Sequence, residues 1–115
     1  MSRAKVYPAD VFSFRSDAIA PDKSISHRCA MFAVLAEGES RIENFLRAED
    51  TLNTLAIVGH LGAEITDEES VITIRSNGIK ETAEILDCGN SGTGMRLFCG
   101  LLSSAEGHFV LTGDE

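Results

Sequence analysis

Two stretches of this chain repeat one pattern, and that repetition constrains the fold more than any other feature. Arg28 opens into an unbroken apolar run from Cys29 to Ala36, then comes Glu37-Gly38, then a strand-like segment. Arg96 opens into a second apolar run from Leu97 to Leu102, then Ala105-Glu106-Gly107, then another strand-like segment. The spacing differs by one residue. A helix–turn–strand unit used twice implies units stacked around a shared core. Both apolar runs lack a polar face, so the pattern predicts helices buried between layers.

The rest of the chain fits that frame. Helical character extends over about Ser24 to Ala36, Thr51 to Leu61 and Gly92 to Ser104. The middle helix is amphipathic, with Leu52, Leu55, Val58 and Leu61 on one side. Asp50 is its expected N-cap and Gly62 its stop. Strand candidates are Lys5–Tyr7, Val11–Phe14, Arg41–Phe45, Ala63–Thr66, Val71–Arg75 and His108–Thr112, with a hairpin turn at 67–69 and another turn at Asn77-Gly78. Helices alternating with strands give an α/β or α+β chain. The first 14 residues carry Arg3, Lys5, Pro8 and Asp10 where a signal peptide needs an apolar core, so a cytoplasmic address is expected. No apolar run is long enough to cross a bilayer.

The net charge of −8 argues against nucleic acid as a partner, since phosphate backbones are held by basic surface. Small anions remain open. Cys29, Cys88 and Cys99 form no metal-ligand spacing and are expected as small core residues.

Two stretches carry chemistry. From Pro21 through Arg28, a proline and hydroxyls begin a helix, where free N–H groups and the positive end of the helix dipole meet. Lys23 stands at that mouth, and Arg28 lies one turn beyond Ser24 on the same face. An ammonium, a hydroxyl and a guanidinium so placed suit a phosphate or carboxylate. Against this, Ser24 or Ser26 could simply cap the helix, with Lys23 and Arg28 solvated. The charge of Arg28 at the head of an apolar helix favours a partner. From Asp87 through Arg96, Gly89, Gly92 and Gly94 surround Asn90, Ser91 and Thr93, so that backbone can approach a ligand at a second helix start. Taken alone, that loop reads as a capped turn. His27 reads as a secondary or exposed residue, and Glu49-Asp50 as first-turn capping residues.

These stretches resemble the signature segments of the 3-phosphoshikimate 1-carboxyvinyltransferase family. The first is similar to G-D-K-S-x-S-H-R, the second to G-N-[SA]-G-T-x-x-R, and Leu111 to Asp114 to the L-T-G-D that follows. The resemblance covers nearly everything from Asp22 onward. It implies a fold of repeated βαββαβ units, an inside-out α/β barrel of two domains, of which only part is present. Residues 1–20 would be opening strands of the domain completed by the C-terminal half, and 21–115 the first part of the substrate-binding domain. It also implies transfer of the enolpyruvyl group of phosphoenolpyruvate to the 5-hydroxyl of shikimate 3-phosphate, with no metal or organic cofactor. Lys23 would be catalytic and touch both substrates. Ser24 and Arg28 would hold shikimate 3-phosphate, while Asn90 and Gly92 would line the phosphoenolpyruvate site.

Family members are several times longer, so the remainder of the enzyme chain is expected to complete the site, through an S-L-x-x-R-P-like continuation. This segment alone is expected to be inactive. Pro21 stands where the family usually has glycine, and Gly94 where it has serine or alanine, which predicts a more mobile loop. Gly92 keeps the small residue associated with glyphosate sensitivity. The rival reading is a stand-alone module that binds small anions without catalysis.

Overall fold

A computed structural model describes residues 1–114. Helix α1 spans Lys23–Leu35, followed by strand β1 (Glu37–Glu43), helix α2 (Glu49–His60), strands β2 (Glu64–Asp67), β3 (Val71–Asn77) and β4 (Ile85–Asp87), helix α3 (Gly92–Leu102) and strand β5 (Val110–Thr112). This is the α+β chain expected. The strand at Ile85–Asp87 escaped the sequence reading because three residues are too few to show an alternation.

Helix α1 begins at Asp22, whose carboxylate accepts from the Ile25 N–H at 2.7 Å. Asp22, rather than Ser24 or Ser26, is therefore the cap. Ser26 is buried and ties the helix start to the next connection, donating to the Asp22 carbonyl and accepting from the Leu46 N–H. Its neighbours His27, Ala30, Met31, Ala33 and Val34 recur at helical spacing and form the buried face. Helix α2 buries Thr51, Thr54, Leu55 and Val58 by the same rule. Its N-cap is Ala48, two residues before the expected cap, so Asp50 lies within the first turn. Leu61 and Gly62, with Gly62 at φ +103°, end it as the sequence implied.

Strands β1, β3 and β2 form an antiparallel sheet in that order. Register runs from Glu37 opposite Asn77 to Glu43 opposite Val71, and Ile65 lies opposite Ile74. Period-two alternation in β3 sends Ile72, Ile74 and Ser76 inward beneath α1. There the Ser76 hydroxyl donates to the Val34 carbonyl at 2.8 Å, locking the helix end to the sheet. Strands β4 and β5 pair in parallel, with Leu86 opposite Leu111, and α3 connects them.

Three expectations need correction. The first 22 residues contain no strand, although Lys5–Tyr7 and Val11–Phe14 were candidates. A strand needs a hydrogen-bonded neighbour, and this segment pairs with none among the described residues. It leaves Val6, Tyr7, Val11, Phe12 and Phe14 exposed, and its extension accounts for a radius of gyration of 17.7 Å against about 13 Å for a compact domain of this size. Second, α1 and α3 are covered on one face only. Phe32 and Leu35 are exposed, Leu97 and Leu101 are half-buried, and with Met31 they line an apolar groove between the two helices. Third, Cys88 is buried as expected, whereas Cys29 is half-buried and Cys99 exposed.

Candidate functional site at three helix N-termini

The starts of α1, α2 and α3 converge. Lys23, the first residue of α1, places its ammonium 3.1 Å from the Asp50 carboxylate in the first turn of α2. One turn along each helix, His27 Nδ1 lies 2.7 Å from the Thr54 hydroxyl. Lys23/His27 and Asp50/Thr54 are both i, i+4 pairs, so each pair shares a face and the two faces meet. Thr54 Oγ1 in turn lies 3.9 Å from where a side chain at Gly94 of α3 would begin. Asn53 packs so closely on Gly89 that a side chain there would collide with its amide. Three helix dipoles therefore present their positive ends to one region, along with amides that have no partner within their own helices.

Around this point the surface is hollowed. Ala48, Glu49, Asp50 and Asn90 line an open recess of about 290 Å³. Asn90 continues it into a second recess of about 250 Å³, lined by Gly89, Ser91, Gly92, Met95, Gly113 and Asp114. Gly92 is exposed, and a methyl group there would sit 3.4 Å from the Arg96 guanidinium, so its smoothness leaves room in the recess. Ser91 caps α3 by accepting from the Gly94 N–H at 2.9 Å. Gly94 is buried, and a side chain on it would lie 2.9 Å from that capping oxygen. The glycine thus accommodates the serine cap.

The electrostatics follow from burial and neighbours. Partial burial works against the Asp50 charge. The Lys23 hydrogen bond and charge, with His27 and the Thr51 N–H, outweigh it and hold the carboxyl below its ordinary value. Burial is the largest influence on His27 and keeps its imidazole below the usual range. Asp50 opposes that shift, while Lys23 and Arg28 add to it. The Lys23–Asp50 pair is half exposed on the lysine side, so it contributes at most about 1 kcal/mol. An ammonium held that loosely can turn to a bound anion.

Of the residues singled out by sequence, Lys23 meets Asp50, Asn90 shares a recess with Asp50, and Gly92 lies with Asn90 in the adjoining recess. Ser24 is exposed beside Lys23. Arg28 is exposed one turn below, with its guanidinium on the Ser24 carbonyl at 3.1 Å, and it also lines the apolar groove. It needs no buried partner because it is not buried, which removes the argument drawn from its apolar context. Arg96 is exposed likewise. Sequence reasoning undervalued Asp50, His27 and Thr54. His27 is fully buried rather than exposed, and the i, i+4 spacing from Lys23 was the signal available.

Comparison with known proteins shows which family the chain belongs to. The family described as EPSP synthase (3-phosphoshikimate 1-carboxyvinyltransferase) matches residues 18–115. The chain belongs to that family. A 3-phosphoshikimate 1-carboxyvinyltransferase of Sulfurimonas denitrificans is 70% identical over the whole chain, and one of Nitratiruptor is 59% identical. Each is covered over only 27% of its own length, so the chain spans about a quarter of these relatives. An EPSP synthase structure from Acinetobacter baumannii superposes with a TM-score of 0.77 at 41% identity, covering 84% of this chain and 23% of that one. In this EPSP synthase family member, no helix among the described residues is long and apolar enough to cross a membrane.

Proposed function

We propose that the chain forms part of a cytoplasmic enzyme that transfers the enolpyruvyl group of phosphoenolpyruvate to the 5-hydroxyl of shikimate 3-phosphate. The observation that carries this reading is the convergence of three helix N-termini on Lys23 and Asn90. Both substrates are anions, and such a junction favours anions. Lys23 touches both and assists proton transfer at the attacking hydroxyl. That oxygen bonds to C2 of phosphoenolpyruvate while C3 gains a proton, giving a tetrahedral ketal. Loss of phosphate and of a C3 proton then restores the double bond.

Ser24 and Arg28 bind shikimate 3-phosphate, and the Asn90 side chain and Gly92 backbone line the phosphoenolpyruvate site. The remainder of the enzyme chain supplies the facing wall. Residues 1–20 pair with it as opening strands, which would cover the apolar side chains they now expose, and residues 21–115 begin the substrate-binding domain. The small Gly92 leaves room for glyphosate, so the parent enzyme is sensitive to it.

Phosphate release by the full-length chain tests the reading. Release that requires both substrates together is expected. Saturable binding of either anion without release would instead identify an anion-binding module.

A further inference from the structure

His27 Nε2 is a buried polar atom with no hydrogen-bond partner among the described residues. Such an atom is costly unless its partner arrives in another state of the molecule. The nearest charge is the same Asp50 oxygen that holds Lys23, at 3.7 Å. That separation is too long for a hydrogen bond, and a shift of about 0.7 Å would close it. On the other side of the ring, Thr54 Oγ1 can donate to Nδ1 or accept from it. If it accepted, the bare Nε2 lone pair would face a carboxylate. If it donates, an Nε2–H points at Asp50. The second arrangement is the lower in energy, and burial keeps the ring neutral.

We propose that His27 is a positioning residue for Lys23: its Nε2–H takes over Asp50 when an anion draws the Lys23 ammonium away. The inference rests on the anion-site reading above. Without such a second partner, the partly buried Asp50 would keep only the Thr51 N–H each time Lys23 engaged a ligand, its other oxygen would lose its partner, and it would pull the lysine back. The charged groups that bear on the ring are Asp50 from α2 and Lys23 and Arg28 from its own helix. From α3, the first turn contributes no charged group at Thr54, only Gly94.

The test uses the full-length chain with ¹⁵N-labelled histidine rings, His27→Gln identifying the His27 signals. The neutral Nε2–H tautomer is expected near neutral pH. Asp50→Asn should lower the His27 pKa, and saturation with phosphoenolpyruvate and shikimate 3-phosphate should raise it. An Nδ1–H ring, or a titration that Asp50→Asn does not move, overturns the proposal. In binding, His27→Leu should weaken phosphoenolpyruvate about fivefold, the scale of one hydrogen bond. His27→Gln, whose amide N–H can reach Asp50, should recover most of that at a matched thermal midpoint. Equal losses in both variants would reduce His27 to packing and overturn the proposal. If the unaltered chain bound neither anion, the site reading would fall, and the ligand half of this inference with it. The ring signals report the His27–Asp50 pairing separately, without ligand.

Discussion

The two copies of the helix–turn–strand unit share a scaffold and differ in what they present. Both helices are capped by a short polar side chain, Asp22 in α1 and Ser91 in α3. Both units carry a glycine at positive φ after the helix, Gly38 at +108° within the start of β1 and Gly107 at +120° before β5. Around α3 the unit is closed by β4, which pairs in parallel with β5. Among the described residues, no strand precedes α1, and β1 pairs only with antiparallel β3. The helix mouths differ too. That of α1 offers a charged side chain, Lys23, whereas that of α3 offers backbone cleared by Gly89, Gly92 and Gly94. The first device suits an anion by charge and reach, the second by close approach of N–H groups.

The comparison breaks most visibly in catalysis. Lys23→Ala in the full-length chain should lower kcat about 10²- to 10⁴-fold, the range for loss of a proton-transfer group. Arg96→Ala, which removes the one charged side chain of α3, should cost far less. Steady-state phosphate release separates the two, and similar losses would mean that α3 also acts through side-chain charge.

A smaller effect sharpens the backbone side. Ser91→Ala should cost about 1 kcal/mol through loss of the cap. Gly94→Ala should gain nothing while Ser91 is present, because its methyl meets the capping oxygen at 2.9 Å. On the Ser91→Ala background the same change should be better tolerated, since the tightest remaining neighbour is the Cβ of residue 91 at 3.3 Å and helix propensity favours alanine. Chemical denaturation of the four variants measures the coupling. Additivity would contradict the account of the glycine.

The smallest effect concerns pH. The folded pKa of His27 lies below its ordinary 6.5, so in acid the unfolded chain binds the proton first. Its contribution is intact above pH 6.5 and is lost as pH falls below it. Asp50, held below 3.8, adds a further loss only in stronger acid. Thermal midpoints should therefore decline below pH 6.5, and His27→Gln should remove that first decline. The acid sensitivity thus belongs to the α1 mouth rather than to α3.

How much of this was legible in the sequence follows from the range of each interaction. Helices α1 and α3, the hairpin between β2 and β3, and the glycine stops are local, set by caps, turns and periodicity, and were read within two residues or so. The motif residues Lys23, Asn90 and Gly92 were legible as anion-binding types. Asp50, His27 and Thr54 were not, because their roles arise only when α1 packs on α2. The exposed faces of Phe32 and Leu35 ran against expectation, and Val11–Phe14 forms no strand within the chain, for a related reason. An apolar pattern reports that a surface wants cover, and neither names the cover nor places it in the same segment.

The most direct test of the central claim, a single anion site where three helices begin, is an amide-proton titration with shikimate 3-phosphate and then phosphoenolpyruvate. The account predicts saturable shifts at Ser24, Asn90 and Gly92 together, diminished by Lys23→Ala, with the hairpin at Glu68 unmoved. A well-dispersed spectrum in which those amides stay still, or in which only one helix start responds, would contradict it.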